Sequence, residues 1–447
     1  MQNIAGFDFF SLTYDDKGNL TSTAELEALK QRAGTATDVI FLAHGFRNSV
    51  ADATTLYTNY LTNFRAHFTR PECQALGTCN FAVAGVFWPS LAVPEKFAAT
   101  QNGSGSTQSL DDDAPIIASL TQKLNDLKTA VPEAQPQIDQ AIKLLPNIKD
   151  DGAAQNQFMQ LLVSTIKDPK PDPTEGLDAL RNLDGVTVIQ KLSAPLILTS
   201  APTDGDFDSG GTQSIASGFF SALGGVDFAI NLTTWWMMKN RSGTVGANGV
   251  AQSVRAIAAV KPTLKVHLVG HSLGGRLMAA CASSLAQDPI YHPASVTLLE
   301  AAFSHFGFSS NNGKGTPGFF RNVIDKQVCQ GPLLATFSAQ DSVVGTTYAL
   351  ASRLADDNVK AVGDVNDPFG GIGHNGAIMT KESVAAKLKQ AGAPDGKAYQ
   401  FQLGVVNCLD GSGGLIKDHG DITNPDVTYA FACSVVSTQS AVIGSTP

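Results

Sequence analysis

The stretch Leu264 to Ala280, LKVHLVGHSLGGRLMAA, decides the fold, because it changes from one structural pattern to another within a few residues. Its first half carries branched apolar residues at positions 264, 266, 268 and 269, the pattern of a strand buried on both faces. Its second half is rich in good helix formers. Between the halves lies the sequence GHSLG at positions 270–274. We therefore predict a buried strand that passes through a sharp turn into a helix.

The turn itself points to chemistry at Ser272. A strand that reverses into a helix so abruptly strains its central residue, and the small residues Gly270 and Gly274 let the two arms pass. The Ser272 hydroxyl would project above the sheet at the helix N-terminus, where the backbone N–H of Leu273 can face a developing oxyanion. A glycine-rich turn without chemistry is the alternative. The strand before and the helix after are the context that a nucleophile elbow requires, so we predict Ser272 as a nucleophile.

Composition limits the class of protein. The 447 residues exceed one ordinary domain, but an α/β enzyme with insertions reaches this length around a single core. Hydrophobic residues make up 43% and charged residues 16%, as in a well-buried globular protein. The net charge of -9 argues against a nucleic-acid partner. The N-terminal sequence has no signal-peptide pattern, so we expect a cytoplasmic protein, or a secreted one whose signal peptide has been removed.

Strand and helix patterns alternate in the first part of the chain and resume before the turn at Ser272, which is the signature of a mostly parallel sheet flanked by helices. We predict strands at Phe7–Thr13, Asp38–Ala43, Phe81–Trp88, Ser295–Leu299, Pro332–Ala339 and Tyr399–Val406. We predict helices at Ser22–Arg32 and Asn48–Phe68 and from Pro425 onward. Residues 1–92 and 244–447 would together form this α/β core.

Residues 93–243 interrupt the alternation. Helical patterns at 115–130, 134–145 and 153–166 predict a large, mainly helical insertion that lies as a cap over the carboxyl ends of the strands. The most apolar stretch, 218–238, contains Asp227 and Asn231, so we expect a buried helix and no integral membrane segment. Trp235 and Trp236 on this helix are candidate substrate contacts, although aromatic residues at helical spacing are equally typical of core packing.

Two other groups of residues contain side-chain types that bind metals. The alternating carboxylates of Asp204, Asp206 and Asp208 resemble a calcium loop, but Ile215 stands where the closing glutamate belongs, so we expect neither a metal nor a cofactor. The six cysteines show no metal-binding spacing. Cys73 and Cys79 bracket a short loop and could form a disulfide in an exported protein, or could remain reduced.

A nucleophilic serine needs a base and an acid. An imidazole must take its proton, and a carboxylate must fix the tautomer of that imidazole. His419, beyond the last predicted strand, and Asp341, at the end of a predicted strand, follow Ser272 in the chain order Ser, acid, His. Glu300, at the end of another strand, is the alternative acid. His374 is the alternative base, but it precedes the last predicted strand, where a loop or pocket role fits better.

The sequence His44-Gly45-Phe46 supplies the second predicted oxyanion donor. It follows a buried strand, and its glycine lets the backbone N–H of Phe46 approach the reacting carbonyl, with Leu273 as the other donor. The alternative is an ordinary strand end with His44 packed in the core. We predict His44 and His271 as further substrate contacts, although His271 beside the serine could instead pack under the turn.

Through His44-Gly45-Phe46, the turn at Ser272, Asp341 and His419, the chain resembles the α/β-hydrolase superfamily of serine esterases and lipases. The resemblance covers residues 36–92 and 244–435. It implies an α/β-hydrolase fold and an acyl-enzyme mechanism that cleaves a small-molecule or lipid ester. A lipase or phospholipase acting at a lipid surface is the alternative within catalysis, and a non-catalytic binding protein that keeps the fold is the alternative outside it.

Overall fold

The computed structural model describes residues 2–90, 113–168, 171–194, 197–198, 213–214, 221–288, 290–355, 369–392 and 398–440. The chain divides into two compact units, one of residues 1–90, 241–344 and 371–447 and one of residues 91–240 and 345–370. The sequence predicts residues 345–370 as part of the core, whereas in the structure they group with the second unit. There Tyr348 packs edge-on against Trp235 at 5.4 Å and accepts a hydrogen bond from Lys239.

A nine-stranded sheet forms the centre of the first unit. The strands of the chain are β1 (Gln2–Ile4), β2 (Phe7–Thr13), β3 (Asp38–Ala43), β4 (Phe81–Phe87), β5 (Ile197–Leu198), β6 (Gln213–Ser214), β7 (Lys265–His271), β8 (Ser295–Leu299), β9 (Leu333–Phe337), β10 (Ser383–Lys387) and β11 (Val406–Asp410). The sheet order is β1-β2-β4-β3-β7-β8-β9-β11-β10, and β1 alone is antiparallel to its neighbour. This confirms an α/β architecture with a mostly parallel sheet. β5 and β6 form a separate antiparallel pair.

Helices follow most of the strands. They are α1 (Thr23–Ala33), α2 (Val50–Ala66), α3 (Ala114–Ala130), α4 (Gln135–Leu144), α5 (Gly152–Ser164), α6 (Leu177–Asn182), α7 (Gly185–Ser193), α8 (Ala222–Thr244), α9 (Ala251–Ala258), α10 (Leu273–Leu285), α11 (Arg321–Asp325), α12 (Ser342–Ala355), α13 (Ile372–Asn375) and α14 (Pro425–Ser440). A π-helical turn at Val245–Val250 joins α8 to α9. Every residue of β3 and β4 is buried, as expected for strands covered on both faces.

The last predicted strand, Tyr399–Val406, was placed too early. The strand β11 begins only at Val406, because the preceding residues close into a loop. The side chain of Asn407 accepts a hydrogen bond from the backbone N–H of Gln402 and donates one to its carbonyl, and Gly404 turns the chain with a φ of 73°. The short strands β1 and β10 were not predicted. β2 pairs with β1 on one side and with β4 on the other.

A buried polar pair joins the amino ends of the central strands. Asp38, which opens β3, accepts hydrogen bonds from His267 at 3.0 Å and from Gln439 of α14 at 2.9 Å. The other ring nitrogen of His267 lies 2.7 Å from the Ser295 hydroxyl. Burial raises the pKa of Asp38, but the hydrogen bonds from His267 and its other partners outweigh burial and lower it to about 2. The carboxylate therefore carries its charge inside the protein.

The second unit contains α3–α7, most of α8 and the helical residues of 345–355. The apolar faces of α3, α4, α5 and α7 supply its described core. A buried ion pair between Lys239 and Glu175 lies beside Trp235, whose ring faces the Lys239 ammonium at 4.6 Å. Across the described residues of both units, no helix combines the length and the apolar character that a membrane crossing requires.

Candidate active site

The sheet order brings the predicted reactive residues to one edge. Strands β3, β7, β8, β9 and β11 are consecutive neighbours and parallel, so their carboxyl ends meet there. The residues that follow these ends are, in the same order, His44-Gly45-Phe46, Ser272, Glu300, Asp341 and His419.

Ser272 occupies a strained turn between β7 and α10. Its backbone has a φ of 57° and a ψ of −126°, a region that non-glycine residues rarely adopt. A Cβ atom at Gly270 would lie 2.2 Å from the carbonyl oxygen of Gly274, so the two arms cross too closely for any larger residue. The Ser272 N–H donates to the carbonyl of Leu299, and the Ser272 carbonyl accepts from the N–H of Ala302. The turn predicted from the sequence is thus fixed by close packing and by hydrogen bonds with Leu299, the last residue of β8, and with Ala302.

Asp341 and His419 form a hydrogen-bonded pair. The Nδ1 atom of His419 lies 2.8 Å from Oδ2 of Asp341. The carboxyl group of Asp341 is fully buried, and its Oδ1 accepts hydrogen bonds from the N–H groups of Val343 and Val344 in the first turn of α12. The positive end of this helix therefore faces a carboxylate that also accepts from the imidazole. This arrangement fixes His419 with its proton on Nδ1, which leaves Nε2 as the basic nitrogen.

His271 connects the serine turn to the histidine loop. Its Nε2 lies 2.7 Å from the backbone carbonyl of His419, and the two imidazole rings are 4.7 Å apart. Burial, with a smaller effect of His419, lowers the pKa of His271 to about 3, so the ring is neutral. Since a carbonyl only accepts, the His271 proton must be on Nε2. The imidazole of His419 therefore lies against the residue that precedes Ser272.

The glycine of His44-Gly45-Phe46 packs directly on the serine. A Cβ atom at Gly45 would come within 2.8 Å of the Cβ of Ser272. Among the described residues, neither the N–H of Phe46 nor that of Leu273 has a hydrogen-bond acceptor. Backbone donors without described acceptors close to a serine are one requirement of an oxyanion hole.

His44 faces the core, which argues against its prediction as a substrate contact. Its ring is stacked on that of Trp88 at 5.7 Å. Burial lowers its pKa to about 4, and its Nδ1 lies 3.0 Å from the carbonyl of Gly45 while Nε2 accepts from the N–H of Trp88. The His44 backbone N–H donates to the Tyr57 hydroxyl. Both ring nitrogens are thus occupied, and the side chain holds the glycine turn in place.

Glu300 and His374 are the alternative acid and the alternative base. Glu300 is fully buried with a φ of 43°, and no hydrogen bond joins its described side chain to His419. Burial and then the charge of Asp341 raise the pKa of Glu300 well above its usual value, which favours the protonated carboxyl. The Nδ1 atom of His374 lies 3.0 Å from the backbone carbonyl oxygen of Asp341. Among the described residues, the carboxylate–imidazole hydrogen bond therefore joins Asp341 to His419, and no such bond involves Glu300 or His374.

The remaining residues predicted for a site lie in the second unit or outside the described residues. Trp235 and Trp236 are buried in the second unit, where the Trp236 indole donates to the carbonyl of Glu175, and their role as substrate contacts stays a prediction. The sequence with Asp204, Asp206 and Asp208 lies outside the described residues. Within the described part of the chain, no cluster of three or more histidine, cysteine, aspartate or glutamate side chains is arranged to hold a metal ion.

Asn424 is a contributor to the site that the sequence analysis missed. Its Oδ1 caps α14 by accepting from the N–H groups of Asp426 and Val427, while its Nδ2 donates to the carbonyls of Leu415 and Asp421. One side chain thus fixes both ends of the loop that carries His419. The signal was the dipeptide Asn424-Pro425, because asparagine at the N-cap with proline at the first helical position marks a helix start.

Comparison with known proteins adds no family assignment. No family model matches the chain, and no curated protein and no solved structure matches it either.

Proposed function

We propose that this protein is a serine hydrolase of the α/β-hydrolase type, which cleaves carboxylic esters through an acyl-enzyme intermediate. The observation that carries the proposal is the position of His419. Its Nδ1 is hydrogen-bonded to the buried Asp341 carboxylate at 2.8 Å. Its ring lies against that of His271, the residue that precedes the strained Ser272. The proposed acid, base and nucleophile come from distant parts of the chain and follow neighbouring parallel strands at the same sheet edge, which supports a catalytic triad.

Acylation follows from these roles. The Oγ of Ser272 attacks the ester carbonyl while Nε2 of His419 takes the hydroxyl proton. The carbonyl oxygen becomes an oxyanion between the N–H groups of Phe46 and Leu273, which have no other acceptor among the described residues. The buried Asp341 carboxylate stabilises the imidazolium. His419 then returns the proton to the leaving alkoxide, the carbon–oxygen bond breaks, and an alcohol leaves the acyl-enzyme.

Deacylation repeats the sequence with water. His419 takes a proton from the water as its oxygen attacks the acyl carbon, and the same two N–H groups receive the second oxyanion. Return of the proton to Ser272 releases the carboxylic acid. Only 5% of the Ser272 surface is exposed, so the acyl group must lose its hydrating water to reach the Ser272 hydroxyl. Together with the net charge of -9, this favours uncharged, partly apolar esters over anionic ones.

Covalent labelling tests the proposed nucleophile. We expect a fluorophosphonate probe to modify the purified protein at Ser272, and we expect Ser272→Ala to abolish both labelling and hydrolysis of chromogenic esters. His419→Ala should slow labelling by about 10³-fold or more, because the hydroxyl loses its base. A folded protein that neither reacts with the probe nor hydrolyses any ester of a chain-length series would refute the proposal in favour of a binding protein. Activity that rises sharply on emulsified long-chain esters would identify a lipase.

A matched pair of variants tests the acid. Asp341→Asn should reduce kcat by about 10³-fold to 10⁴-fold, because an amide cannot stabilise the imidazolium. Glu300→Gln replaces a carboxyl that has no described hydrogen bond to His419 with an amide of the same shape, so kcat should stay within about tenfold of wild type. Circular dichroism and thermal unfolding confirm that each variant folds. A greater loss in Glu300→Gln than in Asp341→Asn would reassign the acid to Glu300.

A further inference from the structure

Ser90, three residues after the end of β4, is hydrogen-bonded to the proposed oxyanion loop, residues 44–48. The Arg47 N–H donates to the Ser90 carbonyl at 3.1 Å. The Asn48 N–H donates to the Ser90 Oγ at 3.2 Å, and the Ser90 hydroxyl donates in turn to the Asn48 carbonyl at 3.0 Å. Only 1% of Ser90 is exposed. Three hydrogen bonds to one buried residue therefore fix two consecutive residues of the loop.

These hydrogen bonds support a strained backbone at Arg47. Its φ of 61° lies in the left-handed region, which costs energy in a residue with a side chain and persists where the surroundings determine the conformation. Asn48 adds a second constraint, because its Nδ2 donates to the Phe46 carbonyl at 3.0 Å. The peptide between Phe46 and Arg47 is thus held at both ends, its carbonyl by the Asn48 amide and its N–H by the Ser90 carbonyl.

The peptide before Phe46 is oriented as well. The Gly45 carbonyl lies 3.0 Å from Nδ1 of His44 and accepts a hydrogen bond from it, since a carbonyl cannot donate. The Gly45 carbonyl and the Phe46 N–H belong to one trans peptide and point in opposite directions, so this hydrogen bond sets the direction of the N–H. Phe46 therefore lies between two fixed peptides, of which Ser90 holds the second.

We propose, on the basis of the proposed hydrolase function, that Ser90 is a positioning residue whose hydroxyl fixes residues 47–48 and thereby holds the Phe46 N–H toward the oxyanion. Ser90 does not act on the ester itself, because its buried hydroxyl both donates to and accepts from Asn48. An oxyanion donor stabilises the transition state more than the bound ester. Loss of the Ser90 hydroxyl therefore lowers kcat and leaves KM unchanged.

Ser90→Ala tests the hydroxyl, because alanine keeps the backbone carbonyl that accepts from Arg47 and loses both side-chain hydrogen bonds to Asn48. We expect kcat to fall about 10-fold to 10²-fold at unchanged KM, less than the loss of a whole oxyanion donor. The affinity for a trifluoromethyl ketone, to which the serine adds to give an oxyanion, should fall by a similar factor. Ser90→Thr keeps the hydroxyl and should recover most of kcat and most of this affinity.

Ser49→Ala is the matched control. The Ser49 Oγ caps α2 by accepting from the Asp52 N–H, and among the described residues it has no hydrogen bond to residues 44–48. Its loss should lower the melting temperature and keep kcat within about twofold of wild type. Circular dichroism checks the folding of each variant. If Ser90→Ala does not fold, Ser90→Cys fills the same space with a weaker donor and acceptor and should still lower kcat at unchanged KM.

The wild-type protein separates the two ways in which the experiment can fail. A wild type that neither reacts with a fluorophosphonate nor hydrolyses any ester would refute the proposed function, and the role of Ser90 with it. An active wild type beside a folded Ser90→Ala or Ser90→Cys variant of unchanged kcat, or with a change confined to KM, would overturn the role of Ser90 alone. Equal losses of kcat in Ser49→Ala and Ser90→Ala would also overturn it, because the cause would then be a general loosening at the start of α2.

Discussion

His271 shows how one neutral side chain can order two reactive loops. Its Nε2–H donates a hydrogen bond to the backbone carbonyl of His419. Its Nδ1 is buried without a described hydrogen-bond partner and lies 3.2 Å from the position that a Cβ atom at Gly45 would occupy. The ring thus fills the space between the proposed base and the proposed oxyanion loop. This placement favours a positioning role over the substrate contact that the sequence suggested.

Two substitutions separate these roles. His271→Gln keeps an amide N–H near the position of Nε2 and should hold kcat within about tenfold of wild type, whereas His271→Phe keeps the ring without a donor and should lower kcat about 10²-fold at unchanged KM. Steady-state kinetics on one ester, with circular dichroism as the check on folding, make the measurement. A rise in KM with constant kcat would instead identify His271 as a substrate contact.

Single residues were predictable where chain order and local chemistry coincide. Ser272 and Asp341 each follow a strand that the sequence reveals, and His419 directly precedes a helix that it reveals, so their meeting follows from the parallel wiring of the sheet. The burial of His44 between Tyr57 and Trp88 did not follow, because it depends on which face of α2 packs against the strand ends. Packing between distant elements produces no periodic pattern in the sequence around His44.

At the scale of elements, the loop between β11 and α14 depends on one cap. Asn424 accepts from the first turn of the helix through one atom and donates to Leu415 and Asp421 through another. The Lys417 N–H donates to the Asp421 carboxylate and closes the loop further. His419 therefore sits on a segment whose conformation is set by side-chain to backbone hydrogen bonds, without regular secondary structure.

Asn424→Ala removes both functions of the cap. We expect it to lower the free energy of unfolding by about 1–2 kcal/mol, through the lost helix cap, and to lower kcat as the His419 loop loosens. Asn424→Ser keeps an acceptor for the helix but is too short to donate to both loop carbonyls. It should recover most of the stability but not the kcat. The free energy of unfolding is measured by urea unfolding and kcat by ester kinetics on the same samples. Equal recovery of stability and kcat in Asn424→Ser would contradict the separation of the two functions of the cap.

The bounds of helices and strands were predicted best where a single sequence pattern determines the element. The helix α14 begins at the proline that the sequence indicated, and β3 and β8 have the predicted bounds. The stretch Tyr399–Val406 alternates like a strand, but Tyr399 stacks on Phe401 at 5.3 Å and packs near Tyr429 of α14. Aromatic residues that fill a gap beside a helix can imitate strand alternation, so the register of the last strand could not be read from the pattern.

At the scale of the whole molecule, buried neutral histidines tie stability to pH. The pKa of His44 is lowered to about 4 and that of His271 to about 3, in both cases first by burial. An unfolded histidine titrates near 6.5, so below that pH the unfolded chain binds more protons than the folded one. The free energy of unfolding must therefore fall as the pH drops from about 6.5 toward 4. Each of these histidines contributes about 1.4 kcal/mol per pH unit.

His44→Asn tests this linkage, since asparagine can still donate to the Gly45 carbonyl but cannot take up a proton. We expect the mean slope of the unfolding free energy between pH 6.5 and 4.5, measured by urea unfolding, to decrease by about 1 kcal/mol per pH unit relative to wild type. This is less than the limiting ~1.4 kcal/mol because the unfolded histidine is only half protonated at pH 6.5. Asp38→Asn is the control. The folded pKa of Asp38, about 2, lies below its unfolded value, so its stabilisation is complete above about pH 4 and is lost only as the pH falls further. An unchanged slope in His44→Asn would mean that His44 takes up its proton in the folded state and that the turn beside Ser272 opens to water in mild acid.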